Sequence, residues 1–172
     1  MKTTHRVLLA DREAADRKAI RRLMEAESGL RVCGEVSSCE QLFRALRTLR
    51  PDLLLLDLTV GGEAGAEFIR EIRRQVEDVL VLVLTEREES LFAESALRAG
   101  ANGYVMKSEA SKLLPVAVRS VLAGNVFVSS AVQQAIFNRL RGMEQEQGTG
   151  AVRRSVGGRT IKPRSRRAKA RS

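Results

Sequence analysis

The sequence has no tryptophan, one tyrosine, one histidine, two cysteines and three prolines. With aromatics at 3%, the core must be built from aliphatic side chains. Cys33 and Cys39 are too few for a disulfide scaffold, and with His5 far away at the terminus they do not make a four-ligand zinc site. They read as small apolar residues in a reducing compartment. No apolar run reaches the roughly 18 residues of a membrane-spanning helix, and the polar stretch from Met1 to Arg6 lacks the apolar segment of a signal peptide. A cytoplasmic protein without a membrane span is expected.

Acidic residues are absent from the last 22 positions, where basic ones are dense. Residues 151–172 hold nine Lys or Arg and no Asp or Glu, whereas residues 1–150 hold 21 of each sign. The formal charge of +9 therefore belongs entirely to the tail, and the rest of the chain is not a basic nucleic-acid surface by composition. Without aromatics to stack on bases, the tail could contact nucleic acid only weakly and without sequence preference, through phosphates.

What is present is an alternation of two periods. Arg6–Ala10 reads as a first strand and Leu30–Val36 as a second, Leu53–Leu56 and Val79–Leu84 are unbroken apolar runs of strand length, and Gly103–Met106 is a shorter fifth. Continuous runs imply strands buried on both faces, as in a parallel sheet between helices. Between them lie helix-period stretches: Ile20, Leu23 and Met24; Leu42, Ala45, Leu46 and Leu49; Ile69, Ile72 and Val76; Phe92, Ala96 and Ala99; Leu114, Ala117, Val118 and Val121. Ser38 with Gln41 forms a capping-box pattern at the second of these. The order is (βα)5, an α/β doubly wound parallel five-stranded sheet, whose ligands gather at the carboxyl ends of the strands. The domain is expected over 5–124. An extension helix is expected within 125–143, capped by Ser130 with Gln133, followed by a basic tail over 144–172 that has no hydrophobic period and is expected to be disordered.

The carboxyl edge carries chemistry. Asp11 follows the first strand, Asp57 the third, Thr85 the fourth and Lys107 the fifth. An aspartate there can attack a phosphoryl donor, and a lysine and a hydroxyl can stabilise the transferred oxygens. Taken singly, Asp11 and Thr85 also read as helix caps, Asp57 as a turn residue and Lys107 as a solvated charge.

Over residues 5 to about 130 the chain resembles the response-regulator receiver domains of two-component signalling, which have a flavodoxin-like fold. The resemblance rests on Val7-Leu8-Leu9-Ala10-Asp11, Arg50-Pro51-Asp52-Leu53-Leu54-Leu55-Leu56-Asp57-Leu58, Val81-Leu82-Val83-Leu84-Thr85 and Arg98-Ala99-Gly100-Ala101-Asn102-Gly103-Tyr104-Val105-Met106-Lys107. The Gly-Ala-x-Gly-Tyr-x-x-Lys run and Ala123-Gly124-Asn125-Val126-Phe127-Val128-Ser129 make it most similar to the NarL/FixJ type. The resemblance implies a phosphorelay protein rather than an enzyme with turnover. Asp57 would be the phosphoacceptor, Thr85 and Tyr104 the switch residues, and Lys107 the partner of the phosphoryl oxygens. Asp11 and Asp57 would belong to a Mg²⁺ pocket. A histidine kinase or phosphorelay protein would be the donor, and a homodimer is a possible assembly.

Two departures set this chain apart. Arg12 stands where the family has a second acid that ligates the metal directly, so Mg²⁺ binding is expected to be weak. One unit-charge pair at about 4 Å and an effective dielectric near 20 is worth roughly 4 kcal/mol. Thr59-Val60-Gly61-Gly62 replaces a Met-Pro pair, and Gly61 is expected to loosen that loop. The second departure is that NarL/FixJ proteins continue into a helix-turn-helix domain, and no such helical pattern follows Gly142. Two readings result: a stand-alone, atypical receiver that accepts phosphate on Asp57, or a phosphate-independent pseudo-receiver that acts as a binding or dimerisation module.

Overall fold

The computed structural model describes residues 4–86 and 90–150, with side chains throughout these except at positions 63, 90, 91 and 142–150. The chain divides into two units, 1–137 and 138–172, and the sheet lies in the first.

The strands are β1 (His5–Ala10), β2 (Leu30–Val36), β3 (Leu53–Leu56), β4 (Leu80–Thr85), β5 (Gly103–Met106) and β6 (Phe127–Val128). The helices are α1 (Ala14–Glu25), α2 (Cys39–Leu49), α3 (Ala66–Gln75), α4 (Ser90–Arg98), α5 (Ala110–Leu122) and α6 (Ser130–Gly150). All pairings are parallel, in the order β2-β1-β3-β4-β5-β6. The sheet thus has six strands where five were expected. The two-residue β6 pairs Phe127 with Gly103 and Val128 with Tyr104, and it is too short to leave a periodic signal.

Side chains of a strand alternate between faces, and here each face has its own helices. Leu54 and Leu56 pack with Leu42, Leu46, Ile69 and Ile72 of α2 and α3, together with Ala93 and Ala96 of α4. Leu53 and Leu55 pack on the other side with Ile20 and Met24 of α1 and Leu114, Val118 and Val121 of α5. Truncating one of these buried leucines to alanine costs about 2–5 kcal/mol. On the α2–α4 side, Val132 of α6 is buried and Ile136 packs against the core.

Local signals hold the connections. The Ser38 hydroxyl accepts from Gln41 N at 3.3 Å, while Gln41 Oε1 accepts from Ser37 N at 3.0 Å, one residue earlier than a reciprocal box requires. At α6 the capping residue is the buried Ser129, not Ser130. Its hydroxyl accepts from Val132 N at 3.5 Å and its carbonyl from Gln133 N at 2.9 Å. Helix α6 runs seven residues past Met143, into the stretch expected to be disordered, where Glu144–Gln147 are good helix formers; the remainder of the basic tail, 151–172, lies outside the described residues.

Candidate phosphoacceptor site

Strand register builds the site. Ala10 pairs with Val36 on one side and Leu56 on the other, and Leu56 pairs with Val83. The next residues on β1 and β3 therefore leave the sheet side by side: Asp57 N donates to Ala10 O at 2.7 Å and Asp11 N to Val36 O at 3.1 Å. Thr85 pairs with Met106, which delivers Lys107 to the same edge. Asp11, Asp57 and Thr85 are buried, and with Ser129 they are the buried polar or charged residues among those described.

Lys107 is the hub. Its ammonium lies 2.5 Å from Asp57 Oδ2, 2.7 Å from Asp11 Oδ2 and 2.7 Å from Asp16 Oδ2. The other oxygens of the two buried carboxylates take backbone amides: Asp57 Oδ1 accepts from Thr59 N at 2.7 Å, and Asp11 Oδ1 from Glu13 N at 2.9 Å. Burial disfavours the lysine's charge, but the hydrogen bonds to Asp11, Asp16 and Asp57 outweigh it and raise the pKa above the ordinary lysine value. Burial pushes the Asp11 carboxyl above its ordinary value, against the opposing pull of Lys107 and Glu13 N–H.

A cavity of about 470 Å³ opens over Asp57. Arg12, Thr59, Gly62, Thr85, Glu86 and Lys107 are among its lining residues. The floor loop, Leu58–Ala64, is a 3-10 turn broken at Gly62, whose φ of 67° falls in the left-handed region where glycine is favoured. Gly61 does not loosen this loop as expected. A Cβ at Gly61 would collide with the ring and Cβ of Phe68, so the glycine is where α3 closes onto the turn. Arg12 is exposed at the cavity mouth, and among the described residues its guanidinium makes no hydrogen bond or ion pair.

The structure brings Asp11, Asp57, Thr85 and Lys107 to one edge with Arg12 beside them. Tyr104 lies within β5, fully buried in the core on the α2–α4 side. Asp11 does not cap α1 directly; its Oδ1 closes a turn onto Glu13 N, the residue before the helix.

Mg²⁺, which the resemblance implies, does not fit the donor set as arranged. The carboxylates of Asp11 and Asp57 are each divided between a backbone amide and Lys107, and a free guanidinium shares the cavity. Among the described residues no three His, Cys, Asp or Glu side chains are grouped to hold a metal ion.

Over residues 7–119 the chain matches the response regulator receiver domain. It belongs to that family. The receiver domain is 35% identical to the response regulator UvrY of Escherichia coli K12 over 128 residues, 74% of this chain and 59% of UvrY. It is 34% identical to the response regulator GacA of Pseudomonas viridiflava over 131 residues, 76% of this chain and 61% of GacA. The chain thus spans about three-fifths of the length of these curated relatives. A crystal structure of a LuxR-family two-component response regulator from Aurantimonas sp. SI85-9A1 superposes with a TM-score of 0.75 at 34% identity, covering 80% of this chain and 98% of that one. The isolated receiver domain of RcsB from Salmonella enterica serovar Typhimurium, in the presence of phosphomimetic BeF3⁻, shares the fold with a TM-score of 0.72 at 24% identity, over 78% of this chain and 99% of that one. The chain is a receiver domain of two-component signalling.

Two contributors to this receiver's site were not visible in the sequence. Asp16 sits in the first turn of α1, five residues beyond Asp11, and reaches Lys107 across 91 positions of sequence. Arg17 donates to the carbonyl oxygens of Asp11 at 2.6 Å and Arg12 at 3.0 Å, and it pairs with Glu35 at 3.3 Å, which pins the β1–α1 connection. An acid and an arginine in the first turn after an edge aspartate are the only signal the sequence offers for either.

Proposed function

We propose that this receiver accepts a phosphoryl group on Asp57 and signals through protein–protein contacts. The observation that carries the reading is Lys107 Nζ at 2.5 Å from Asp57 Oδ2, on the floor of a cavity that Thr85 also lines. A carboxylate oxygen is a competent nucleophile toward a phosphoryl donor, and the ammonium and hydroxyl stand where the transferred oxygens would arrive. Thr85 would answer the new charge, and Tyr104, two positions ahead of Met106 on the neighbouring strand, would carry the change toward α4 and β5. The donor would be a histidine kinase or another phosphorelay protein, and the setting cytoplasmic. Nothing in the site calls for a turnover enzyme: a phosphorylated aspartate is a signal state. RcsB is described as forming dimers on DNA, and a homodimer of this chain is a reasonable form for its output.

The alternative is a pseudo-receiver that acts as a binding or dimerisation module without phosphate. One observation favours it: three carboxylates already engage the ammonium of Lys107, which fixes the site in one arrangement. The basic residues of 151–172 would give either form a weak, sequence-independent attraction to nucleic acid.

Intact mass after incubation with acetyl phosphate separates the two. Gain of one phosphoryl group by the parent, and none by Asp57→Ala, supports the phosphoacceptor. No gain by the parent under any condition supports the pseudo-receiver.

A further inference from the structure

We propose that Arg12 supplies, from the chain itself, the positive charge that phosphoryl oxygens on Asp57 require, so that transfer at this site needs no divalent metal. The inference rests on the phosphoacceptor reading and deepens it.

Three carboxylates and one ammonium leave the site short of positive charge. The ammonium of Lys107 lies within 2.7 Å of a carboxylate oxygen of each of three acids, Asp11, Asp16 and Asp57, so the lysine enters the reaction already committed. An anionic phosphoryl donor approaching Asp57 meets this excess of negative charge, with Glu13 and Glu86 also lining the cavity. Of the described residues that line it, only Arg12 and Lys107 are cations.

Arg12 is placed for the task and, among the described residues, is uncommitted. The backbone of its loop is held at three points: Asp11 Oδ1 accepts from Glu13 N, and Arg17 donates to the carbonyls of Asp11 and Arg12. Arg17 is itself anchored to Glu35. The loop is therefore fixed while the Arg12 side chain stays free at the mouth of the cavity. A planar guanidinium presents paired N–H donors that match two phosphoryl oxygens, which a point-charge ammonium cannot do. The same side chain that spoils a metal site completes an anion site.

In the transfer, a new bond forms from an Asp57 carboxylate oxygen to phosphorus as the bond from phosphorus to the donor oxygen breaks. With acetyl phosphate the leaving acetate keeps that electron pair. Arg12 would hold two of the three non-bridging oxygens throughout, and Lys107 would shift toward the third.

The test is intact-mass kinetics of the full chain with acetyl phosphate, in Mg²⁺ and in excess EDTA. The parent is expected to gain one phosphoryl group at the same rate in both. In EDTA, Arg12→Ala should slow the gain by about 10- to 100-fold, the value of one lost charge-assisted hydrogen-bonded contact. Arg12→Lys should recover part of it, since it returns the charge without the fork. A parent that is phosphorylated only with Mg²⁺, or an Arg12→Ala variant as fast as the parent in EDTA, overturns the role of Arg12 and leaves the phosphoacceptor reading standing. A parent that gains nothing with or without Mg²⁺ overturns both.

Discussion

Lys107 Nζ lies as close to Asp16 Oδ2 in the first turn of α1 as to Asp11 Oδ2 at the end of β1, 2.7 Å in each case. The lysine thereby ties the fifth strand to the first helix as well as to Asp57 at the end of β3. Asp16 is about one-third exposed, so water screens its share. Asp16→Asn should lower stability in urea by about 0.5–1 kcal/mol. Lys107→Met leaves three acids without their cation and should cost about 3 kcal/mol or more. In a double-mutant cycle, Asp16→Asn should cost little once Lys107 is gone.

The two raised pKa values act on stability in different pH ranges. Lys107 binds its proton more tightly folded than unfolded, so its contribution is complete below about pH 10.4 and is lost as pH rises through the folded value. Asp11 also holds its proton more tightly when folded. Its contribution is therefore present below about pH 3.9 and is lost as pH rises through the raised value. At neutral pH the Asp11 charge is a burden, and Asp11→Asn should shift the urea midpoint upward. That advantage should shrink as the pH falls toward 4, when the parent carboxyl takes up its own proton. A variant less stable than the parent at neutral pH would show that the ion pair with Lys107 outweighs the burial of the charge.

Packing, not looseness, governs the loop after Asp57. Gly61→Ala forces a methyl group against Phe68 and should destabilise the fold by about 1–3 kcal/mol. Combining it with Phe68→Leu should return part of that loss, as read in a thermal or urea melt. Equal stability of Gly61→Ala and the parent would show that α3 can shift to make room.

Restoring an acid at position 12 should restore a metal site. Arg12→Asp exchanges a cation for a carboxylate beside Asp11 and Asp57, and Mg²⁺ affinity should rise by at least about tenfold. Isothermal titration or a Mg²⁺-dependent change in Tyr104 fluorescence would report it. Equal affinity in variant and parent would place the side chain of residue 12 too far from the carboxylates to matter.

The sheet was legible because its central strands, β3 and β4, are continuously apolar up to Thr85. Leu53–Leu56 is buried at every position, as a continuous apolar run in a sheet covered on both faces should be. Asp11, Asp57, Thr85 and Lys107 could be placed at one edge because parallel order and strand length decide which residues leave the sheet together. Features that depend on side-chain reach were not legible. Asp16 looked like an ordinary acid of a helix start, and its role appears only once Lys107 has folded back over α1. Gly61 looked flexible because its neighbour in space, Phe68, is seven residues away on the next helix. Strand β6 is two residues long and exists through its pairing with β5, not through any pattern of its own.

Asp11, Asp16 and Asp57 all converge on Lys107, so the residue that takes the phosphoryl group has to be located directly. Borohydride reduction after acetyl phosphate treatment converts a phosphorylated aspartate to homoserine, and peptide mass mapping then locates it. Homoserine at position 57 alone is the expected result. Homoserine at position 11 or 16, or at none of the three, would contradict the account.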